Sequence, residues 1–240
     1  MLDPILGEIL YVDKPYGWTS FDAVKRIRGK LHVRLGIKKL KVGHAGTLDP
    51  LATGVLIVCT GKKTKEIERL QQGEKEYVAD IRLGATTPSY DLETQVDATY
   101  PWEHITEEQV RTVLRERFIG RIEQVPPAFS ACKVDGRRAY KIARKGREVE
   151  LKAKVLEISE IELMECNLPD IKVRVSCSKG TYIRALARDL GEALGSGAHL
   201  TGLRRTRVGS VSEHDCKQMG EMLQYLSEVE MRLPEEEEKQ

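Results

Sequence analysis

Residues 42–59 constrain this chain more than any other stretch. Val42-Gly43-His44-Ala45-Gly46-Thr47-Leu48-Asp49-Pro50-Leu51-Ala52-Thr53-Gly54 sets three glycines around a single carboxylate, and Val55-Leu56-Ile57-Val58-Cys59 follows without a charged residue. Glycine takes turns that a Cβ forbids and lets the backbone approach a ligand closely. The apolar run predicts a strand covered on both faces. Asp49 stands among Leu48, Pro50 and Leu51. A carboxylate short of water must be hydrogen-bonded, ion-paired or protonated. An Asp-Pro step also simply opens a turn, and the loop alone does not separate the two readings.

The remaining elements interleave without regular βαβ alternation, which predicts an α+β fold. Gly7–Asp13 reads as a short strand, stopped at Lys14-Pro15. Thr19 or Ser20 caps a helix over about 21–31, with Phe21, Val24, Ile27 and Leu31 on the inner face. Tyr77–Leu83 alternates as a half-buried strand, and Thr106-Glu107-Glu108-Gln109 is a capping box for a helix ending near Gly120. Residues 154–158 and 171–175 form a strand pair joined through Asn167-Leu168-Pro169, and a helix runs over about 182–194 with Ile183, Leu186, Leu190 and Leu194 inward. The composition shifts near Val211. Residues 1–211 are therefore taken as one catalytic domain, and 212–240 as a short helix with a solvated acidic tail at Glu235–Glu238.

The net charge of +2 hides an asymmetry. Residues 212–240 carry nine acids against three Lys and Arg. Basic clusters lie at Lys25–Lys41, which holds no acid, at Lys133–Arg147, at Lys62–Lys65 and at Arg204–Arg207. So many cations with few local acids point to a phosphate backbone as partner. The five cysteines are odd in number and widely spaced, as for reduced, mostly buried thiols in a cytoplasmic protein. No apolar run is long enough for a membrane span, and Met1-Leu2-Asp3-Pro4 does not resemble a secretion signal. Gly54 to Gly61-Lys62-Lys63 lacks P-loop spacing, and no dinucleotide, nucleophile-elbow or zinc motif occurs. The expectation is a site needing neither cofactor nor metal.

The string GHAGTLDPLATGVL closely resembles the catalytic loop of TruB-type tRNA pseudouridine synthases. Four further strings follow the same family in order: Val12-Asp13-Lys14-Pro15 with Gly17-Trp18-Thr19-Ser20, Lys75-Glu76-Tyr77, Ser178-Lys179-Gly180-Thr181-Tyr182-Ile183-Arg184, and Gly197-Ala198-His199-Leu200-Thr201-Gly202-Leu203-Arg204-Arg205-Thr206. The resemblance implies a pseudouridine-synthase fold, a mixed and mostly antiparallel sheet flanked by helices. It implies an isomerase that converts uridine 55 of the tRNA TΨC arm to pseudouridine, and the chain is expected to act as a monomer. Too few residues follow Arg207 for the C-terminal PUA domain of longer bacterial relatives. Guide-RNA-dependent synthases, which act on rRNA, carry that domain, so this chain fits them less well. A non-catalytic tRNA-binding or folding helper would use the same basic clusters.

Making pseudouridine breaks the N1–C1′ glycosidic bond, turns the base and rejoins it through C5. An ionised carboxylate serves by attacking carbon, abstracting a proton or stabilising a cationic sugar. The resemblance implies Asp49 as nucleophile, Arg184 as its ion-pair partner, Asp91 as the brace of that arginine and Tyr77 as the platform under the base. It likewise puts Tyr182 and Leu203 in the pocket wall, and has His44 filling the gap left by the flipped nucleotide. Lys133, in a basic cluster, is expected on the RNA, and Lys14 with Pro15 as support beneath the loop. Read without the family, Tyr77 fits a core position, Arg184 a solvent-facing helix and His44 a cap on a glycine turn. Whether Asp49 attacks ribose or base, or acts as a base, stays open.

Overall fold

The computed structural model describes residues 1–130, 132–134, 137–139, 142 and 151–233. Most of the Lys133–Arg147 cluster, the Lys133 side chain and the tail at Glu235–Glu238 lie outside that description. The chain divides into two compact units, Met1–Lys75 with Arg204–Gln240, and Glu76–Leu203.

In the first unit, β1 (Ile9–Lys14) pairs antiparallel with β3 (Thr53–Thr60), from Ile9 opposite Cys59 to Lys14 opposite Gly54. The other edge of β3 is shared. β2 (Val42–Ala45) runs antiparallel along Ile57–Thr60, and the end of β12 (Ala198–Val208) runs parallel along Thr53 and Gly54. β14 (Lys217–Gln218) pairs parallel with β1. Leu56 and Val58 of β3 join Leu10 and Val12 in a core with α1 (Ser20–Leu35) and α5 (Met219–Glu228). Val55, Ile57 and Cys59 point into a second core with Ala45, Val208 and Val211. The unbroken apolar run is thus covered on both faces, as its composition requires.

Thr19 caps α1 with a full capping box to Asp22. The helix continues one turn past Leu31, and Gly36 closes it in the left-handed conformation at φ 65°, where glycine carries no Cβ penalty. Phe21 corrects the helical reading. It is 58 % exposed, because the buried stripe runs through Ser20, Ala23, Val24, Ile27, Leu31 and Leu35. Phe21 instead lies under the Arg28 guanidinium.

In the second unit, β4 (Lys75–Leu83) alternates buried and half-buried side chains as expected. It lies between β12 and β11 (Asp170–Cys177), followed by β10 (Lys154–Asn167) and β7 (Gly120–Gln124). The β10–β11 hairpin turns at Leu168-Pro169, and β10 is much longer than its alternating segment suggested. α3 (Glu107–Phe118), capped by Thr106, packs on β10. α4 (Ile183–Ala193) buries Ile183, Leu186 and Leu190. Parallel and antiparallel pairings with flanking helices give the expected α+β architecture.

Candidate active site

The Asp49 loop leaves the sheet where β2 ends and returns at Gly54, in the position where β3 takes Arg205 as its parallel neighbour. Gly54 has φ 101°, and a Cβ there would stand 2.2 Å from the Arg205 carbonyl. Only glycine allows that approach. The loop is tied at several points. Ser20 Oγ donates to the Leu48 carbonyl at 3.1 Å and accepts from the Leu48 amide at 2.9 Å. Lys14 is fully buried, and its Nζ donates to the carbonyls of Trp18 at 2.5 Å, Pro15 at 3.0 Å and Pro50 at 3.2 Å. The Gly17 amide also bonds the Pro50 carbonyl. Asp49, between these ties, is half-buried.

Two buried cations therefore underlie one carboxylate-bearing loop. Burial pulls the Lys14 amine down to about 8, opposed by Asp49 and reinforced by Arg205. Arg205 is 1 % exposed and donates from Nε to the Val55 carbonyl at 2.8 Å and from a terminal nitrogen to the Gly46 carbonyl at 3.1 Å. His44 on β2 is held below its ordinary pKa by burial and by Arg205, so it is neutral at pH 7. Among the described residues its buried Nδ1 has no hydrogen-bond partner.

The Arg204–Arg207 cluster is not a free basic surface, which corrects the charge reading. Arg204 pairs with buried Asp13 at 2.8 Å and with Glu213 at 2.6 Å, and Arg207 pairs with Glu74 at 2.9 Å. Asp13 also accepts from the Gly54 amide and from Gln218 Nε2. Sequence reasoning missed Asp13, Ser20 and Arg205. An acid inside an apolar strand was a signal for Asp13, because buried charges must be paired.

In the second unit, Arg184 opens α4 and is 3 % exposed. Its guanidinium donates to the carbonyls of Ser89 at 3.1 Å and Phe129 at 2.9 Å, and its Nε stands 3.6 Å from Asp91 Oδ2. Asp91 is itself buried and accepts from Ser89 Oγ at 2.5 Å and from the Glu93 amide at 3.0 Å. Tyr182 caps α4. Its backbone is bonded from both sides by Gln124, and its hydroxyl lies 3.3 Å from Cys132 Sγ. Tyr77 on β4 is 7 % exposed, and Leu203 on β12 is half-buried. Lys133 begins the short strand β8 (Lys133–Val134).

All five cysteines are unbridged, but only Cys59 and Cys177 are buried, fewer than the sequence reading implied. Burial pushes Cys59 up to about 11 and Cys216 up to about 12, so both are thiols at neutral pH. Among the described residues no helix is long and apolar enough to cross a membrane, and no group of three His, Cys, Asp or Glu is placed to hold a metal ion.

Residues 32–183 match the family described as TruB family pseudouridylate synthase (N terminal domain), and residues 184–237 match the tRNA pseudouridylate synthase B C-terminal domain. The tRNA pseudouridine synthase B of Phocaeicola vulgatus is 67% identical over 225 residues, 94% of this chain and 95% of that protein. The enzyme of the same name from Flavobacterium johnsoniae is 52% identical over 212 residues, 88% of this chain and 91% of its own length. Among solved structures, a chain of a Cbf5-Nop10-Gar1 complex superposes with TM-score 0.69 at 30% identity. That match covers 92% of this chain and 55% of the other, so this chain spans about half its length. The chain belongs to the TruB family of pseudouridylate synthases.

Proposed function

We propose that this chain isomerises uridine 55 in the TΨC arm of tRNA to pseudouridine, with Asp49 as the nucleophile. The chain is an isomerase of the tRNA pseudouridine synthase B kind. The observation that carries the site assignment is the Asp49 loop, anchored by Ser20, Lys14 and Arg205 so that the carboxylate meets a buried positive charge. A fixed positive environment keeps a carboxylate ionised in a poorly hydrated place. The isomerisation leaves the oxidation level of the base unchanged and consumes no water. Its demands are a nucleophile, a held base and charge stabilisation.

In this reading Arg184 pairs with the carboxylate while Asp91 aligns its fork. Tyr77 carries the flipped base, Tyr182 and Leu203 wall the pocket, and neutral His44 takes the place the base vacates. Lys133 contacts the RNA backbone. Residues 1–211 supply the catalytic machinery, and 212–240 are accessory. The enzyme works as a monomer in the cytoplasm, a compartment that suits its unbridged cysteines. The test is incubation of purified protein with unmodified tRNA and no added cofactor, with pseudouridine read by mass spectrometry after carbodiimide labelling. Product at position 55 supports the reading. Tight tRNA binding without product makes the chain a binding protein instead.

A further inference from the structure

Many basic side chains are neutralised within the fold. Arg204, Arg207, Arg174 and Lys172 each hold at least one carboxylate. One group differs. Lys25, Arg28, His32, Lys38, Lys39 and Lys41 line a single shallow groove beside α1, and none of them forms an ion pair with a described carboxylate. Helical spacing builds one side of it. Lys25, Arg28 and His32 lie three and four residues apart, on the stripe next to buried Val24, Ile27 and Leu31. Gly36 then ends the helix and turns the chain, so that Lys38–Lys41 line the same groove. Lys25 and Arg28, three residues apart, carry like charges that repel one another, and an anion lying across them relieves the repulsion.

Gly29 adds an independent observation. It sits inside a 16-residue helix, where glycine is among the poorest choices. A Cβ built on it would meet nothing within 4 Å, so packing does not require its small size. Gly29 and Lys25 line this groove and also an adjoining depression with Trp18, Arg26 and Lys30. The bare backbone keeps a joined floor open across the helix. Trp18 in turn offers the carbonyl that Lys14 grips beneath the Asp49 loop. From Lys41, β2 leads to Gly46 over about 16–17 Å, at roughly 3.3 Å per strand residue.

We propose that this groove holds the sugar–phosphate backbone of the tRNA close to the modified nucleotide, as a contact separate from the base pocket. The proposal rests on the tRNA reading above. Replacing Lys38, Lys39 and Lys41 together by Gln should raise the Kd for unmodified tRNA about tenfold and cut the slope of log Kd against log salt by roughly 2–3, near 0.7–0.9 for each phosphate no longer neutralised. KM should rise by a larger factor than kcat falls. Neutralising three exposed cations of the other unit, Arg115, Arg117 and Lys152, should leave Kd and slope unchanged.

Gly29→Gln removes no charge and improves helix propensity, so its Tm should rise while tRNA binding weakens. Equilibrium binding across a salt series, with Tm and turnover on the same samples, reads all of this. Unchanged Kd and slope in the triple variant of an active enzyme would overturn the groove and leave the isomerase reading standing. An inactive wild type fails that reading instead, and the binding series still reports on the groove. Loss of binding only to phosphatidylserine vesicles, with tRNA affinity intact, would assign the groove to a membrane and also overturn it.

Discussion

The Arg205 guanidinium clamps the Gly46 carbonyl at 3.1 Å while its Nε holds the Val55 carbonyl at 2.8 Å. Those two carbonyls flank the loop that carries Asp49, so one buried fork fixes both of its shoulders. Lysine keeps the charge but offers no planar pair of donors. Arg205→Lys should therefore lower kcat at least tenfold with little change in KM, and cost about 1–3 kcal/mol of stability from the unpaired carbonyls. Thermal unfolding and steady-state kinetics on one preparation check both. A lowered Tm with unchanged kcat would make the clamp purely architectural.

Gly54→Ala attacks the same clamp from the other side. The residue has φ 101°, and the new methyl group would meet the Arg205 carbonyl at 2.2 Å. The backbone conformation alone costs about 1–3 kcal/mol for a non-glycine residue, and the overlap adds to that. The variant should melt well below the wild type and lose most of its turnover. A Tm within a degree or two would show that β3 and β12 yield without disturbing the loop.

Arg184→Lys tests the second unit. Its guanidinium reaches Ser89, Phe129 and Asp91 from one buried position, which a single ammonium cannot reproduce. Turnover should fall by about two orders of magnitude or more, with tRNA affinity within about tenfold, because phosphate contacts dominate binding. Single-turnover kinetics separate the two quantities. An unchanged rate would remove Arg184 from the chemistry and leave it as a buried strut.

Much of the fold was legible because its signals are local. The capping box at Thr106 and the alternation of Tyr77–Leu83 each need only a few neighbouring residues. The apolar run Val55–Cys59 declared two covered faces by composition alone. Phe21 failed because several stripes of a short amphipathic helix fit its sequence, and packing against α5 and the sheet chose among them. The arginines after Leu203 failed for a different reason. Whether a cation faces solvent depends on partners far along the chain, and Asp13 lies 191 residues from Arg204. The same distance effect hid Arg205 and Ser20, whose work is done on a loop that local patterns do not connect to them. The Asp49 loop was readable as a motif, and Lys14 beneath it came with the family resemblance, but its ties to Ser20 and Arg205 were not.

Lys14 makes a pH prediction whose two parts differ in sign. Burial lowers its pKa from 10.5 to about 8, with Asp49 opposing that shift and Arg205 adding to it. Below pH 8 the ammonium is charged and supports ionised Asp49. Above it the amine is neutral and that support is lost, so kcat should fall with an apparent pKa near 8. Stability responds in the other direction. Between about 8 and 10.5 the unfolded chain keeps a proton that the folded chain has released, so this group's contribution to stability rises with pH. Single-turnover rates and Tm between about pH 7 and 9 read both slopes, and Lys14→Arg, charged throughout that range, should flatten both. A wild-type rate that is level across pH 8 would mean that the Lys14 charge does not reach the reacting carboxylate. The three carbonyl bonds to Trp18, Pro15 and Pro50 would then be its whole contribution.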